Sequence, residues 1–181
     1  NMTNDFLRTA FAIPVLPQEA VLLEECFAVA AELSSDFAEL PIDGMQTVKA
    51  YYASRSDAFK TSFPQKLDED DPFAGFFDLW SDPGFLGFDA DLEIRGDPEG
   101  KAQFAFISGH DVDVPSIASL IQKVCKSALP FGFQWAEGNE EDDGFRSFAG
   151  GYYVISDTGI FGGPTRWLMN ETLQTLRAGA T

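Results

Sequence analysis

Phe88-Asp89-Ala90-Asp91-Leu92-Glu93-Ile94 alternates apolar and acidic residues one for one. Side chains along a strand point to opposite faces in turn. This run therefore places Phe88, Ala90, Leu92 and Ile94 on a buried face and Asp89, Asp91 and Glu93 on a wet one. A strand that is dry on one side and wet on the other belongs to an antiparallel sheet covered on a single face. The turn-rich segment Gly96-Asp97-Pro98-Glu99-Gly100 follows, and Ala102 to Ile107 reads as the returning partner of a hairpin.

Working outward, Asp113 caps a helix from about Val114 to Ser127, with Pro115 in its first turn. Val114, Ile117, Leu120, Ile121, Val124 and Ala128 give it a buried face, flanked by Cys125. Leu129-Pro130 stops it. Phe131–Ala136 and Gly150–Ile155 read as strands, and Pro164 as the opening of a last helix with Trp167, Leu168, Leu173 and Leu176 as its contacts. Upstream, Phe11-Ala-Ile-Pro-Val-Leu16 reads as a short strand. Pro14 lacks an N–H, so this strand is expected at an edge or irregular. Pro17 opens a helix striped by Leu22, Leu23, Cys26, Phe27, Ala30 and Leu33. Residues 1–10 read as a flexible terminus and 36–85 as an irregular helical insertion. A helix follows Asp71-Pro72 there, carrying Phe73, Phe76, Phe77 and Trp80. The order β-α-β-β-α-β within one domain, residues 1–181, predicts an α+β fold of the ferredoxin-like type. Its helices lie on one sheet face, with an extra strand and a C-terminal helix.

The 181-residue chain suits one domain, and 45% hydrophobic residues with 18 phenylalanines supply its core. Twenty-nine acidic against 12 basic residues give a net charge of −17. Such a chain repels nucleic-acid phosphate and anionic lipid, so neither is expected as a direct partner. No apolar run approaches the length of a membrane span, and no basic-then-apolar leader pattern is present; a cytoplasmic setting is expected. Two cysteines, Cys26 and Cys125, fall in apolar helical patterns and read as buried thiols rather than a disulfide framework.

Four segments carry a resemblance: Asp71-Pro72-Phe73-Ala74-Gly75-Phe76, Gly87–Glu93, Ala128–Ala136 and Ala149–Ile155. Over roughly residues 70–175 the chain resembles a group of uncharacterised bacterial, plasmid and phage proteins. The resemblance implies no activity, cofactor or catalytic residue. In that group the loop after Trp-Ala is often basic. Here it is the acidic Glu137-Gly138-Asn139-Glu140-Glu141-Asp142-Asp143-Gly144.

The chemistry-bearing residues are few. His110, the only histidine, stands in Gly109-His110-Asp111-Val112-Asp113. With Asp111 it forms a weak metal or general-base candidate, against the simpler reading of a loop residue among helix caps. Neighbouring carboxylates on one strand face lie ~7 Å apart, too far for Asp89, Asp91 and Glu93 alone to share a cation. Loop 137–144 has Asn139, Glu141 and Asp143 at calcium-loop spacing, but Gly150 stands where the bidentate glutamate belongs. The pairs Gly150-Gly151 and Gly162-Gly163 match no phosphate-binding fingerprint, and sheet close approach explains them more simply. The tryptophans and phenylalanines are read as core in preference to an aromatic ligand pocket. No cofactor and no catalytic residue is expected. The leading expectation is a non-enzymatic interaction protein whose acidic face, Asp89, Asp91 and Glu93 with Glu137, Glu140, Glu141, Asp142 and Asp143, engages a basic site on another protein. Spaced carboxylates imitating phosphates are one way it would do so. The alternatives are a small metal-assisted enzyme using His110 and nearby carboxylates, and a ligand-binding domain.

Overall fold

In the computed structural model, residues 5–35, 44–97, 99, 102–139 and 149–178 are described. They form an α+β fold around a six-stranded sheet of order β2-β3-β1-β4-β5-β6, every neighbouring pair antiparallel. The strands are β1 (Asp5–Val15), β2 (Asp91–Gly96), β3 (Gln103–Gly109), β4 (Phe131–Asn139), β5 (Ala149–Ile155) and β6 (Ile160–Pro164). The helices are α1 (Pro17–Ser35), α2 (Gly44–Ala53), α3 (Asp57–Ser62), α4 (Ala74–Phe77), α5 (Val114–Val124) and α6 (Thr165–Ala178). A simple ferredoxin-like sheet has four strands. Here β5 and β6 extend the order beyond β4.

From Asp91 onward the opening alternation folds as read. Phe88 is buried and Ala90, Leu92 and Ile94 are half-buried, while Asp89, Asp91 and Glu93 face solvent. Regular pairing begins only at Asp91, because Asp89 sits at φ 50°, in the left-handed region outside any strand. The same parity runs through the sheet. Ile13 and Val15 of β1, Ala105 and Ile107 of β3, Phe133 and Trp135 of β4 and Ile155 of β5 all enter the core. Opposite them lie Leu23, Cys26 and Val29 of α1 and Ile117, Leu120 and Ile121 of α5, all fully buried. Each of these large side chains contributes about 1.5–3 kcal/mol on burial. A second aromatic cluster joins α2, α3 and α4. Tyr52, Phe59, Phe63, Phe73 and Phe76 stack edge-on or tilted, and Trp80 carries the contact on to Phe88, 4.8 Å between ring centroids.

Three expectations are corrected. β1 is central, flanked by β3 and β4, where an edge strand was expected, and it runs from Asp5 to Val15. Pro14 is accommodated because β4 pairs only with Asp5–Arg8, so around Pro14 the ladder runs on the β3 side alone. Pro164 ends a strand that the glycine-rich segment had concealed, and α6 starts one residue later at Thr165. Finally, α6 has no fully buried residue: of the four expected contacts Trp167, Leu173 and Leu176 are exposed and Leu168 is half-buried. Among the described residues no helix is long and apolar enough to cross a membrane.

Candidate functional site

The uncovered sheet face is built from the opposite parity to the core. Its rows run across β2, β3 and β1: Asp91–Ser108–Ala10, Glu93–Phe106–Ala12 and Arg95–Phe104–Pro14. Small residues on β1 leave a shallow groove of about 360 Å³ lined by Ala10, Asp91, Glu93, Arg95, Phe106 and Ser108. Glu93 is not a free carboxylate in this groove. Arg95 donates to it through Nε at 2.7 Å and Nη2 at 2.6 Å, and the same guanidinium lies 4.5 Å over the Phe106 ring. That hydrogen-bonded arginine holds the Glu93 carboxyl below its usual value. The sequence signal for the pair is plain in retrospect, since residues two apart on a strand share a face.

A second group of acids lies at the lead-in to β2. Val112 N–H donates to the Leu7 carbonyl at 3.0 Å and Asp113 N–H to the Phe88 carbonyl at 3.1 Å, pressing the β3–α5 turn against residues 88–90. Gly109 allows this approach: a Cβ there would stand 2.8 Å from the Asp89 carbonyl oxygen and 2.6 Å from Val112 Cγ2. Asp89, Asp111 and Asp113 are thereby gathered. Partial burial raises the Asp89 carboxyl above its usual value, and the charges of Asp113 and Asp111 raise it further. Asp113 also caps α5 as the sequence predicts, its Oδ1 accepting from Ser116 N–H at 3.0 Å. Beside Asp89 runs an open groove of about 450 Å³ walled by Leu33, Phe85 and Leu86.

His110 is exposed, and its Nε2 meets Arg8 Nη2. Among the described residues no group of three or more His, Cys, Asp or Glu side chains is arranged to hold a metal ion, Asp111 included. Cys26 and Cys125 are free and buried. Burial pushes the Cys125 thiol up to about 12 and raises Cys26 well above its ordinary value, the reverse of an activated nucleophile. Glu137 lies half-buried near the end of β4, paired with Leu7 and Ala149. Glu140, Glu141, Asp142 and Asp143 lie outside the described residues, as does most of the loop considered for calcium.

The glycine pairs are explained by packing. A Cβ on Gly150 would stand 2.3 Å from the Trp135 carbonyl oxygen, and one on Gly151 2.3 Å from Trp135 Cζ2 and 2.5 Å from the Gly163 carbonyl oxygen. Gly162 and Gly163 adopt φ 110° and 145°, which favour glycine. Of the aromatics weighed as a pocket, Phe73, Phe76, Trp80, Phe133 and Trp135 are core residues, and Trp167 is exposed. Neither groove is lined by any of them. No family model, no curated protein and no solved structure matches this chain.

Proposed function

We propose that this chain is a non-enzymatic interaction protein that engages a basic site on a partner protein through its β2 edge. The observation that carries the reading is Asp89, in a left-handed backbone conformation next to the β2 edge, with its carboxyl raised by partial burial and by the charges of Asp113 and Asp111. A carboxylate held in a partly desolvated site beside two other acids favours a cationic occupant, which offsets both costs on binding. The net charge of −17 steers such a partner from a distance and disfavours nucleic acid. Phosphate imitation belongs to this proposal, with Asp89 and Asp91 as the carboxylates that Arg95 does not hold. A cytoplasmic setting and an origin among bacterial, plasmid or phage proteins are proposed on the same footing. So is kinship of β1-α1-β2-β3-α5-β4 with the ferredoxin-like fold, which the order β2-β3-β1-β4 supports.

The test is affinity capture from cell extract with the wild type and with Asp89→Asn/Asp91→Asn, at low and at high salt. One basic protein, retained at low salt, released at high salt and depleted by the double substitution, is the expected result. Recovery of no basic protein, or equal recovery with the double variant, removes the proposal.

A further inference from the structure

The acidic edge is one end of the sheet, and the other end has the opposite character. Eleven large hydrophobic side chains are exposed among the described residues, and seven of them fall within residues 149–178. Tyr152, Val154 and Phe161 stand on the uncovered face of β5 and β6, where Val154 pairs with Phe161 and Tyr152 with Gly163. Trp167, Met169, Leu173 and Leu176 stand on α6, which follows β6 without a linker and is tied to β5 by Thr165 Oγ1 donating to the Gly150 carbonyl at 2.6 Å. Phe161 is 59% exposed, Trp167 67%, Met169 57% and Leu176 66%.

A 14-residue helix with no buried side chain is marginal in water, because helices of this length draw most of their stability from packing an apolar face. Met169, Leu173 and Leu176 are spaced four and three apart, the interval of a helix–helix seam. Charge selects the occupant. Residues 149–178 hold two acids, Asp157 and Glu171, and two bases, Arg166 and Arg177, so this segment is neutral and the whole −17 resides elsewhere. A basic partner is drawn to the acidic edge and gains nothing from this one. Within this segment two copies bring no net charge together, and an apolar face is complementary to itself; the repulsion to be screened comes from the rest of the chain, the acidic run just before Ala149 included.

We propose that α6 and the adjoining β5–β6 face form the isologous interface of a homodimer, with the Met169–Leu173–Leu176 seams packed against each other. Aromatic side chains bury about 150–250 Å² each, so covering Tyr152, Val154, Phe161 and the Met169–Leu173–Leu176 seam at their observed exposures, with Trp167 on the far side of α6 left out, removes on the order of 600 Å² per copy. That approaches the ~800 Å² per partner of a stable interface. The acidic β2 edge at the far end of the sheet stays free, so this inference does not rest on the proposed partner.

Sedimentation velocity of the full chain tests it. The wild type should sediment at twice the 19.8 kDa chain mass. Its dimer should tighten with added salt, because screening relieves repulsion between like-charged copies. Leu173→Glu/Leu176→Glu should raise the dimer Kd at least about a hundredfold, about tenfold for each buried apolar contact replaced by a charge. Val21→Glu, at an equally exposed apolar position on α1, should leave the Kd unchanged. Circular dichroism of each variant checks that the sheet persists. Leu173→Cys supplies a reading that needs no disruption: with the native thiols buried, mild oxidation should give a covalent dimer. A wild type monomeric at both salts, a dimer indifferent to the double substitution, or a monomer that floats with neutral phosphatidylcholine vesicles would each overturn the proposal.

Discussion

Replacing Gly151 with alanine tests the packing that joins the two ends of the sheet. The added methyl meets Trp135 Cζ2 at 2.3 Å and the Gly163 carbonyl oxygen at 2.5 Å, both inside van der Waals contact. One obstacle is a ring that can shift; the other is backbone of β6, which cannot move without loosening the Gly151–Pro164 pairing. Overpacking of a well-filled site costs about 1–3 kcal/mol, and the backbone obstacle sets the expectation in the upper half of that range. For a chain of this size, 2 kcal/mol corresponds to a Tm lower by roughly 4–8 °C. Urea unfolding followed by far-ultraviolet circular dichroism and by tryptophan fluorescence measures it. Trp135→Phe sharpens the test. It withdraws the indole atoms facing Gly151 and removes a buried indole N–H that has no acceptor among the described residues. The double variant should recover at least about 0.5 kcal/mol relative to the sum of the singles, the signature of direct contact. A Gly151→Ala protein within about 0.5 kcal/mol of wild type, the scatter of ordinary surface substitutions, or strict additivity with Trp135→Phe, would refute this account of the glycine pair.

Three further outcomes are expected. Glu19 accepts from Leu16 N–H at 2.9 Å, from Ser127 N–H at 2.8 Å and from the Ser127 hydroxyl, joining the start of α1 to the turn after α5. Glu19→Ala removes a buried carboxylate, while its donors on exposed Leu16 and Ser127 regain water, so it should cost about 1.5–3 kcal/mol in urea unfolding, the worth of hydrogen bonding to one charged group; a loss under about 0.5 kcal/mol would break the argument. Asp89→Asn should raise stability at neutral pH by up to about 0.5 kcal/mol, the scale of an exposed charge contact. The folded pKa of Asp89 is raised, so its contribution is full at acid pH and lost as pH rises through the carboxylate range. The gain should therefore vanish in acid, and an equal gain at both pH values would count against it. The Cys125 thiol, raised from 9.0 to about 12, contributes stability that is fully present below pH 9 and lost as pH rises toward 12. Cys125→Ala should flatten that alkaline decline, and a thiol reagent at pH 8 should label neither cysteine until urea opens the fold.

What was legible followed from periodicity with a single reading. The alternation from Asp91 to Ile94 has one consistent sheet parity, and the Asp113-Val114-Pro115 start of α5 combines a cap with a first-turn proline; both stand as read, while Asp89 leaves the strand at φ 50°. Pro14 misled because the rule about proline concerns a local lack of ladder on one side, not the rank of the whole strand in the sheet. β6 was hidden because Gly162 and Gly163 carry no alternation, being chosen for positive φ and for the approach of β5. The Glu93–Arg95 pair was within reach of the same period-two reasoning that found the acidic face. Reading only the carboxylates of that face missed the base two residues on.

α6 marks the deeper limit. An amphipathic stripe states that a helix must bury one face, and it carries no information about whose surface does the burying. Trp167, Leu173 and Leu176 read as core by that rule and are exposed. Charge distribution supplies what periodicity omits. The neutrality of residues 149–178 within a chain of net charge −17 was countable from the start, and it separates an end that repels its own kind from an end that does not. The acids at the β2 edge and the apolar side chains of β5, β6 and α6 thus occupy different parts of the chain, although the acidic run 137–143 lies just before β5. A surface for a basic partner requires concentrated negative charge. A surface for self-pairing requires its absence, and a six-stranded sheet is wide enough to hold both.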